Sequence, residues 1–267
     1  ERNELWHEPR GVAVVISPWN FPLAMGTRKI GPAIAAGCTS VIKPAAQTPL
    51  CTLAFAELLT RAGLPDGVVN VVTTGQADEV MSPLILDPRS RKLSFTGSTG
   101  VGKHLLELCA KTVMRTSMEL GGNAPFLVFE DADLDAAVDG AMLAKMRNIG
   151  QACTAANRIL VHRSVAEKFA EKMAARMADL PMGRGTEDGV VVGPLIDDRA
   201  VAKVTGLVSD ATERGATVHL GGTAHEGRGH FYPATVLTDV PPEAEMGRTE
   251  IFGPVAAITP FDSEEEA

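Results

Sequence analysis

Short apolar runs, each cut off by a proline or glycine and each followed by a helical pattern, set the terms for the first half of the chain. Val12 to Ile16 is one such run and stops at Pro18, and Met25 to Ala36 then reads as a helix. Thr39 to Lys43 is a second run, ended by Pro44, and Thr48-Pro49 opens a helix to about Ala62. Thr48 occupies an N-cap and Pro49 the first helical position, where a missing N–H costs nothing. Gly63 to Gly67 is a turn, Val68 to Val72 a third strand, and Gln76 to Leu86 a helix. Leu93 to Thr96 is a fourth strand, followed by a glycine-rich turn and a helix to about Lys111. Strand and helix in alternation predict a parallel sheet covered by helices on both faces.

A second region begins near Gly122. Phe126 to Phe129, Arg158 to His162, Thr217 to Leu220 and Ala234 to Leu237 read as strands, and Asp133 to Asn148 as a helix capped by Asp131 or Asp133. Ser164 is expected to cap a helix whose apolar positions Val165, Phe169, Met173 and Met177 recur every four residues. Asp197 to Arg214 is a further helix, and Ser263 to Ala267 resembles a helix start. The expected division is 1–121 and 122–267.

Bulk properties exclude several classes. The 267 residues suit one large domain or two ordinary ones, and 45% hydrophobic content supplies a core. A net charge of −8, dispersed basic side chains and a single tyrosine, Tyr232, argue against a nucleic-acid surface. No apolar run reaches the roughly 18 residues of a membrane span. No secretory leader is visible, which says little for a chain that opens Glu1-Arg2-Asn3 without an initiator Met; unpaired thiols suit a reducing cytosol, so a cytoplasmic protein is expected. The cysteines Cys38, Cys51, Cys109 and Cys153 form no C-x-x-C pair and have no histidine at ligand spacing, so no metal site is expected. The first three are expected to be buried structural thiols, the usual place for free cysteine.

Three motifs carry chemistry. Cys153 lies in Gly150-Gln151-Ala152-Cys153-Thr154-Ala155-Ala156-Asn157-Arg158, and Glu119, 34 positions earlier, lies in Met118-Glu119-Leu120-Gly121-Gly122. Asn20 lies in Pro18-Trp19-Asn20-Phe21-Pro22, between two prolines that restrict the backbone. Thiol, carboxylate and amide together suit covalent chemistry at a carbonyl carbon. The thiol must ionise to attack, and a free one titrates at about 8.5. Backbone N–H groups of Thr154 to Asn157 are candidates to face the sulfur, and the Gly150-Gln151 pair leaves the approach uncrowded. Taken singly, each motif has a plainer reading: a buried thiol, a solvated glutamate, a turn asparagine. A fourth motif, Thr96-Gly97-Ser98-Thr99-Gly100, is a strand, a small-residue turn and a helix N-terminus where a pyrophosphate can sit. There is no G-x-G-x-x-G after the first strand.

These motifs resemble those of the NAD(P)-dependent aldehyde dehydrogenases, and among their branches the succinate-semialdehyde dehydrogenases. The resemblance covers essentially all 267 residues. It corresponds to the central part of family members nearly twice as long, so a fragment is expected, lacking the family's N-terminal segment and the C-terminal portion with its oligomerisation strand. It implies a Rossmann-type cofactor domain followed by an α/β catalytic domain, both incomplete. Cys153 is implied as the nucleophile, Glu119 as the base that activates water, and Asn20 as an oxyanion donor beside the Cys153 N–H. CoA-acylating relatives lack this glutamate, so a free acid is the expected product.

For the cofactor, the resemblance implies Ile16, Ser17, Pro18, Trp19, Lys43, Ala46, Thr96, Gly97, Ser98, Leu120, Glu250 and Phe252. Lys43 would hold the adenosine ribose, and Glu250 and Phe252, in Glu250-Ile251-Phe252-Gly253-Pro254, the nicotinamide ribose and ring. Many NAD-preferring members have a glutamate where this chain has Ala46, so NADP is slightly favoured over NAD. Gly100 stands where the family usually has glutamate, a change confined to the helix's first turn. Arg147 is implied as the partner of a substrate carboxylate; its plainer reading is a surface helix arginine. Ala155 stands where some members of that branch carry a second cysteine, so no redox switch is expected. A small aldehyde substrate and a homodimeric or homotetrameric full-length protein complete the expectation. The alternatives are another aldehyde, a CoA-acylating enzyme, or a cofactor-binding fragment without turnover.

Overall fold

The computed structural model describes residues 2–4, 6 and 8–267. The chain divides into two compact units, Glu1–Gly121 and Gly122–Ala267.

The first unit is built on β1 (Val12–Ile16), β2 (Ser40–Lys43), β3 (Val69–Val71), β4 (Ser90–Thr96) and β5 (Arg115–Glu119), all parallel and ordered β3-β2-β1-β4-β5. Between them run α1 (Pro22–Ala35), α2 (Pro49–Arg61), α3 (Ala77–Leu86) and α4 (Thr99–Ala110). Side chains alternate across a strand, and β1 shows the consequence. Val14 and Ile16 join Leu93, Phe95, Met81, Ile85, Leu105 and Cys109 in one cluster, under α3 and α4. Val15 joins Ile42, Ile30, Phe55 and Leu59 in another, under α1 and α2. This is the expected doubly wound sheet. The chain builds outward from β1 to β3, then returns to the other side of β1 at β4, so the strand order reverses between β1 and β4. In such sheets ligands bind beyond the strand C-termini at that reversal.

The second unit has a sheet ordered β6-β7-β10-β9-β8: β6 (Ala124–Val128), β7 (Ala156–His162), β10 (Val255–Phe261), β9 (Thr235–Thr238) and β8 (Thr217–Leu220). All neighbours are parallel except β8, which is antiparallel to β9. The helices α5 (Leu134–Met146), α6 (Arg163–Ala178) and α7 (Asp198–Glu213) share one core with it, centred on Phe169, Met173, Met177, Ile159, Val236, Ile258 and Tyr232. Phe169, Met173 and Met177 are the stripe expected from the sequence, with Val165 at its edge.

Several local expectations are corrected. Helix α1 starts at Pro22, three residues early, because Pro22 suits a first turn. Thr48 sits at the N-cap of α2, but its hydroxyl makes no capping bond there. His162, not Ser164, caps α6: its Nδ1 accepts from the Ser164 N–H at 3.4 Å. Asp133 caps α5 through Oδ1, accepting from Asp135 and Ala136. Helix α5 ends at Met146, not Asn148, since Asn148 and Ile149 take left-handed conformations with φ of 51° each. Ser263 to Glu266 form a turn closed by the Glu266 N–H on the Ser263 carbonyl. The central strand β10 was not anticipated, because its apolar residues follow a Gly-Pro pair and show no alternation. Cys51 is exposed on the outer side of α2 and Cys38 is half-buried; only Cys109 of the three is buried.

Tyr232 is fully buried with its hydroxyl donating to the Gly222 carbonyl at 3.2 Å. Burial pushes its phenol up to about 12, partly offset by Thr205. An unfolded tyrosine ionises at about 10, so between about pH 10 and about pH 12 only the unfolded chain loses this proton. Stability therefore falls with rising pH across that window. Tyr232→Phe is expected to lose that part of the alkaline decline, read from urea unfolding of both proteins between pH 9 and 12.

Candidate active site

In the first unit the strand reversal brings the C-termini of β1 and β4 side by side, with Ile16 paired to Phe95. Just beyond them lie Ser17 and Gly97. The Ser17 hydroxyl and the Thr96 hydroxyl at the end of β4 are both buried with no hydrogen-bond partner. A buried unsatisfied hydroxyl is costly, and two at a strand reversal suit a polar ligand. Ser98 caps α4, its Oγ accepting from the Val101 N–H at 3.5 Å. No acidic residue occupies the first turn of α4, so its dipole favours an anion. Gly97 and Gly102 let neighbouring side chains pack close to the backbone. A Cβ on Gly97 would lie 2.5 Å from the Phe95 ring, and one on Gly102 2.6 Å from Leu120 Cδ2. Leu120 thereby packs against α4.

Lys43 ends β2, half-buried, and burial lowers its pKa. Ala46 borders a shallow pocket of about 450 Å³ lined by Pro44, Ala45, Pro49, Thr73, Thr74 and Gly75. That lining holds no charged side chain, so nothing there repels a phosphate. Pro18, Trp19 and Asn20 form the half-buried bend between β1 and α1.

Glu119 is the last residue of β5, paired with Thr96, and its carbonyl accepts from the Gly97 N–H at 3.1 Å. Its side chain is exposed. Lys29 on α1, which no motif pointed to, is partly buried; burial lowers its pKa and the charge of Glu119 opposes that. The only local clue was position, nine residues after Asn20 on α1.

The second unit holds Cys153, Arg147, Glu250 and Phe252. The segment from Arg147 to Ala155 links α5 to β7. Ile149, Gly150, Gln151, Ala152, Ala155, Ala156 and Asn157 are buried, whereas Cys153 and Thr154 are exposed. The expectation that N–H groups after Cys153 face its sulfur fails at Ala155, whose N–H binds the Ala152 carbonyl at 3.0 Å. Gln151 anchors the segment by accepting from the Ile196 N–H at 3.1 Å. Gly150 has φ +76°, and a Cβ there would lie 2.1 Å from the Gly253 carbonyl oxygen. The glycine therefore serves this backbone contact, beyond the uncrowded approach read from the sequence. Arg147 is exposed just past the end of α5.

Glu250 lies in the loop before β10, and its Oε1 accepts from the Gly122 N–H at 3.4 Å. Burial raises its carboxyl pKa, opposed by that N–H, Lys203 and Lys145. Phe252 has φ +57°, an uncommon conformation for a bulky side chain. Lys145 is a second group the sequence did not single out. It is fully buried, and burial lowers its pKa to about 7, with Glu250 opposing. Its signal was the α5 stripe, since Val138, Ala141 and Lys145 fall on one buried face. Among the described residues, no three His, Cys, Asp or Glu side chains are grouped to hold a metal, and no helix is long and apolar enough to cross a membrane.

Residues 1–267 match the aldehyde dehydrogenase family. The chain belongs to that family. It is 56% identical over 261 residues to a succinate-semialdehyde dehydrogenase of Paenarthrobacter nicotinovorans, covering 98% of this chain and 58% of the relative. It is 54% identical to a 3-sulfolactaldehyde dehydrogenase of Pseudomonas putida, covering 97% of this chain and 53% of that protein. Among solved structures, an E. coli NADP-dependent enzyme superposes with a TM-score of 0.95 at 54% identity, over 97% of this chain and 54% of that one. The chain thus spans about half the length of the curated relatives it matches.

Gly150→Ala is expected to destabilise the fold by about 3 kcal/mol or more, because strain and a backbone clash coincide. Thermal unfolding checks this; an unchanged Tm would mean the Gly150–Gly253 contact is not needed.

Proposed function

We propose that this chain carries the nucleophile, base and cofactor-binding residues of an NAD(P)-dependent aldehyde dehydrogenase, with succinate semialdehyde as the aldehyde and NADP slightly favoured. The observation that carries the reading is the Cys153 loop: nearly every neighbour is buried while the thiol stays exposed. A structural cysteine would show the reverse. The first unit is assigned to the cofactor, supported by the strand reversal, the two unsatisfied hydroxyls and the acid-free α4 N-terminus. The second is assigned to catalysis.

In this reading the Cys153 sulfur attacks the aldehyde carbon, and the Asn20 amide and the Cys153 N–H donate to the oxygen that becomes anionic. The nicotinamide that Glu250 and Phe252 would hold would supply the hydride acceptor by which the Cys153 thiohemiacetal becomes a thioester. Glu119 takes a proton from water, the hydroxyl adds to the thioester carbon, and the C–S bond breaks to release the acid and the thiolate. Lys43 and the neutral pocket at Ala46 would take the adenosine ribose, with room for a 2′-phosphate. Ile16, Ser17, Pro18, Trp19, Thr96, Gly97, Ser98 and Leu120 would line the dinucleotide, with Glu250 and Phe252 at its nicotinamide end.

Arg147 is assigned to an anionic group on the substrate. Succinate semialdehyde carries a carboxylate and sulfolactaldehyde a sulfonate, so both substrates named for the relatives suit a guanidinium. The free thiols fit a reducing compartment, and we assign the cytoplasm. The full-length protein is assigned as a homodimer or homotetramer.

Glu119→Gln, in an active protein bearing this chain, is expected to give one burst of NADPH and then stall, followed by absorbance at 340 nm. A linear steady state at the parent rate would remove Glu119 from the mechanism. Arg147→Ala is expected to raise KM for succinate semialdehyde about 100-fold, matching loss of a charge-assisted bond of about 3 kcal/mol. Uncharged aldehydes should change little; an equal effect on both would end the carboxylate-binding assignment.

A further inference from the structure

Lys145 is a buried cation two residues before Arg147, and none of the chemistry assigned above uses it. It occupies the last turn of α5 and has no exposed surface. Its Nζ donates to Asn157 Oδ1 at 3.1 Å, across a span of 12 residues that contains Cys153. Asn157, near the start of β7, is itself 1% exposed. The other end of the Asn157 amide donates to the Gly122 carbonyl at 3.3 Å. The Gly122 N–H in turn donates to Glu250 Oε1 at 3.4 Å. Meanwhile the Lys145 stem lies beneath the nucleophile loop: Cε is 3.3 Å from where a Gly150 Cβ would be. All of these groups lie in the second unit.

We propose that Lys145 is a positioning residue: held by Asn157, its buried side chain closes the base of the nucleophile loop, and through Asn157 and Gly122 it seats the Glu250 carboxylate. The part concerning Glu250 rests on the assignment of that residue to the nicotinamide ribose. The physical reason for a lysine here is its reach and its charge. Methionine would fill the same space but leave the Asn157 oxygen unsatisfied in the core, where an unmet acceptor is costly. The ammonium also opposes the effect of burial on Glu250, favouring the ionised carboxylate that would accept from ribose hydroxyls. The groups that face Glu250 are Lys145 from α5, Lys203 from α7 and the Gly122 N–H. Among the described residues, the charged group that acts on Lys145 is Glu250.

The test uses this chain labelled with carboxyl-13C glutamate, with the Glu250 resonance assigned by its loss in Glu250→Gln. In Lys145→Met the Glu250 midpoint is expected to rise by about one pH unit. Amide exchange over residues 147–155 is expected to quicken about tenfold, with β9 and β10 unaffected. A purely space-filling role for Lys145 would leave the Glu250 midpoint where it is, and that result overturns the proposal. Unchanged exchange in the loop overturns it equally. The double variant Lys145→Met, Asn157→Leu removes both polar partners; it is expected to regain stability without restoring the Glu250 midpoint. If neither variant folds, the unmodified chain decides. Its Glu250 signal should show a second inflection as Lys145, whose pKa burial lowers, loses its proton, and a single inflection overturns the proposal. No readout needs cofactor or turnover. A chain that passes them yet supports no aldehyde oxidation would end the functional reading alone.

Discussion

Val15 lies in the middle of β1, with β2 on one edge and β4 on the other, and it is 1% exposed. That double pairing governs the first unit. Because β1 is filled on both sides, the chain must leave toward β3 and come back to β4, and the reversal opens a gap at the strand C-termini. Ser17, Thr96 and Gly97 stand at the gap because β1 and β4 end in register. Glu119 arrives beside them because β5 adds to β4 with Thr96 opposite Glu119. The polar groups at the strand ends are thus consequences of register, and the apolar faces under α1 to α4 hold the register in place.

The second unit solves a different problem. A loop must keep a thiol at the surface while its flanks are buried, and buried backbone needs partners. The solution is a set of polar contacts under the loop: Gly150 against the Gly253 carbonyl, Gln151 on the Ile196 N–H, and Lys145 on Asn157. Three successive residues with positive φ, Asn148, Ile149 and Gly150, turn the chain sharply after α5. Left-handed conformations at Asn148 and Ile149 carry strain, and the tightly packed surroundings hold them. Lys145 is the most expensive member of this set, since burial works against its charge, and Asn157 and Glu250 offset part of that penalty.

How much could be read beforehand differed residue by residue. The stripe Phe169, Met173 and Met177 was legible because helical periodicity is written locally. The Glu119 and Cys153 motifs were legible because the residues around them resemble a known family's; singly, each residue type has an ordinary structural reading. Strand β10 was missed because a buried parallel strand has no alternation to reveal it. Helix α5 ends two residues before the sequence suggests because Arg147 and Asn148 are acceptable helix residues, and the left-handed backbone at Asn148 and Ile149 is not written in their identity. Lys145 carried no motif; its one sequence signal is that it falls on the apolar face of α5, with Val138 and Ala141.

The sequence by itself determined the α/β class, the strand-helix alternation of the first unit and the motifs around Asn20, Glu119 and Cys153. Those depend on neighbours along the chain. The tertiary structure alone decided that the charge of Glu119 acts on Lys29, that Gly150 sits against the Gly253 carbonyl, and that Lys145 is buried beneath the Cys153 loop. Each of these joins residues from different elements, and only packing brings them within reach. A burial cost or a charge interaction exists only once the partner and the surrounding dielectric are in place.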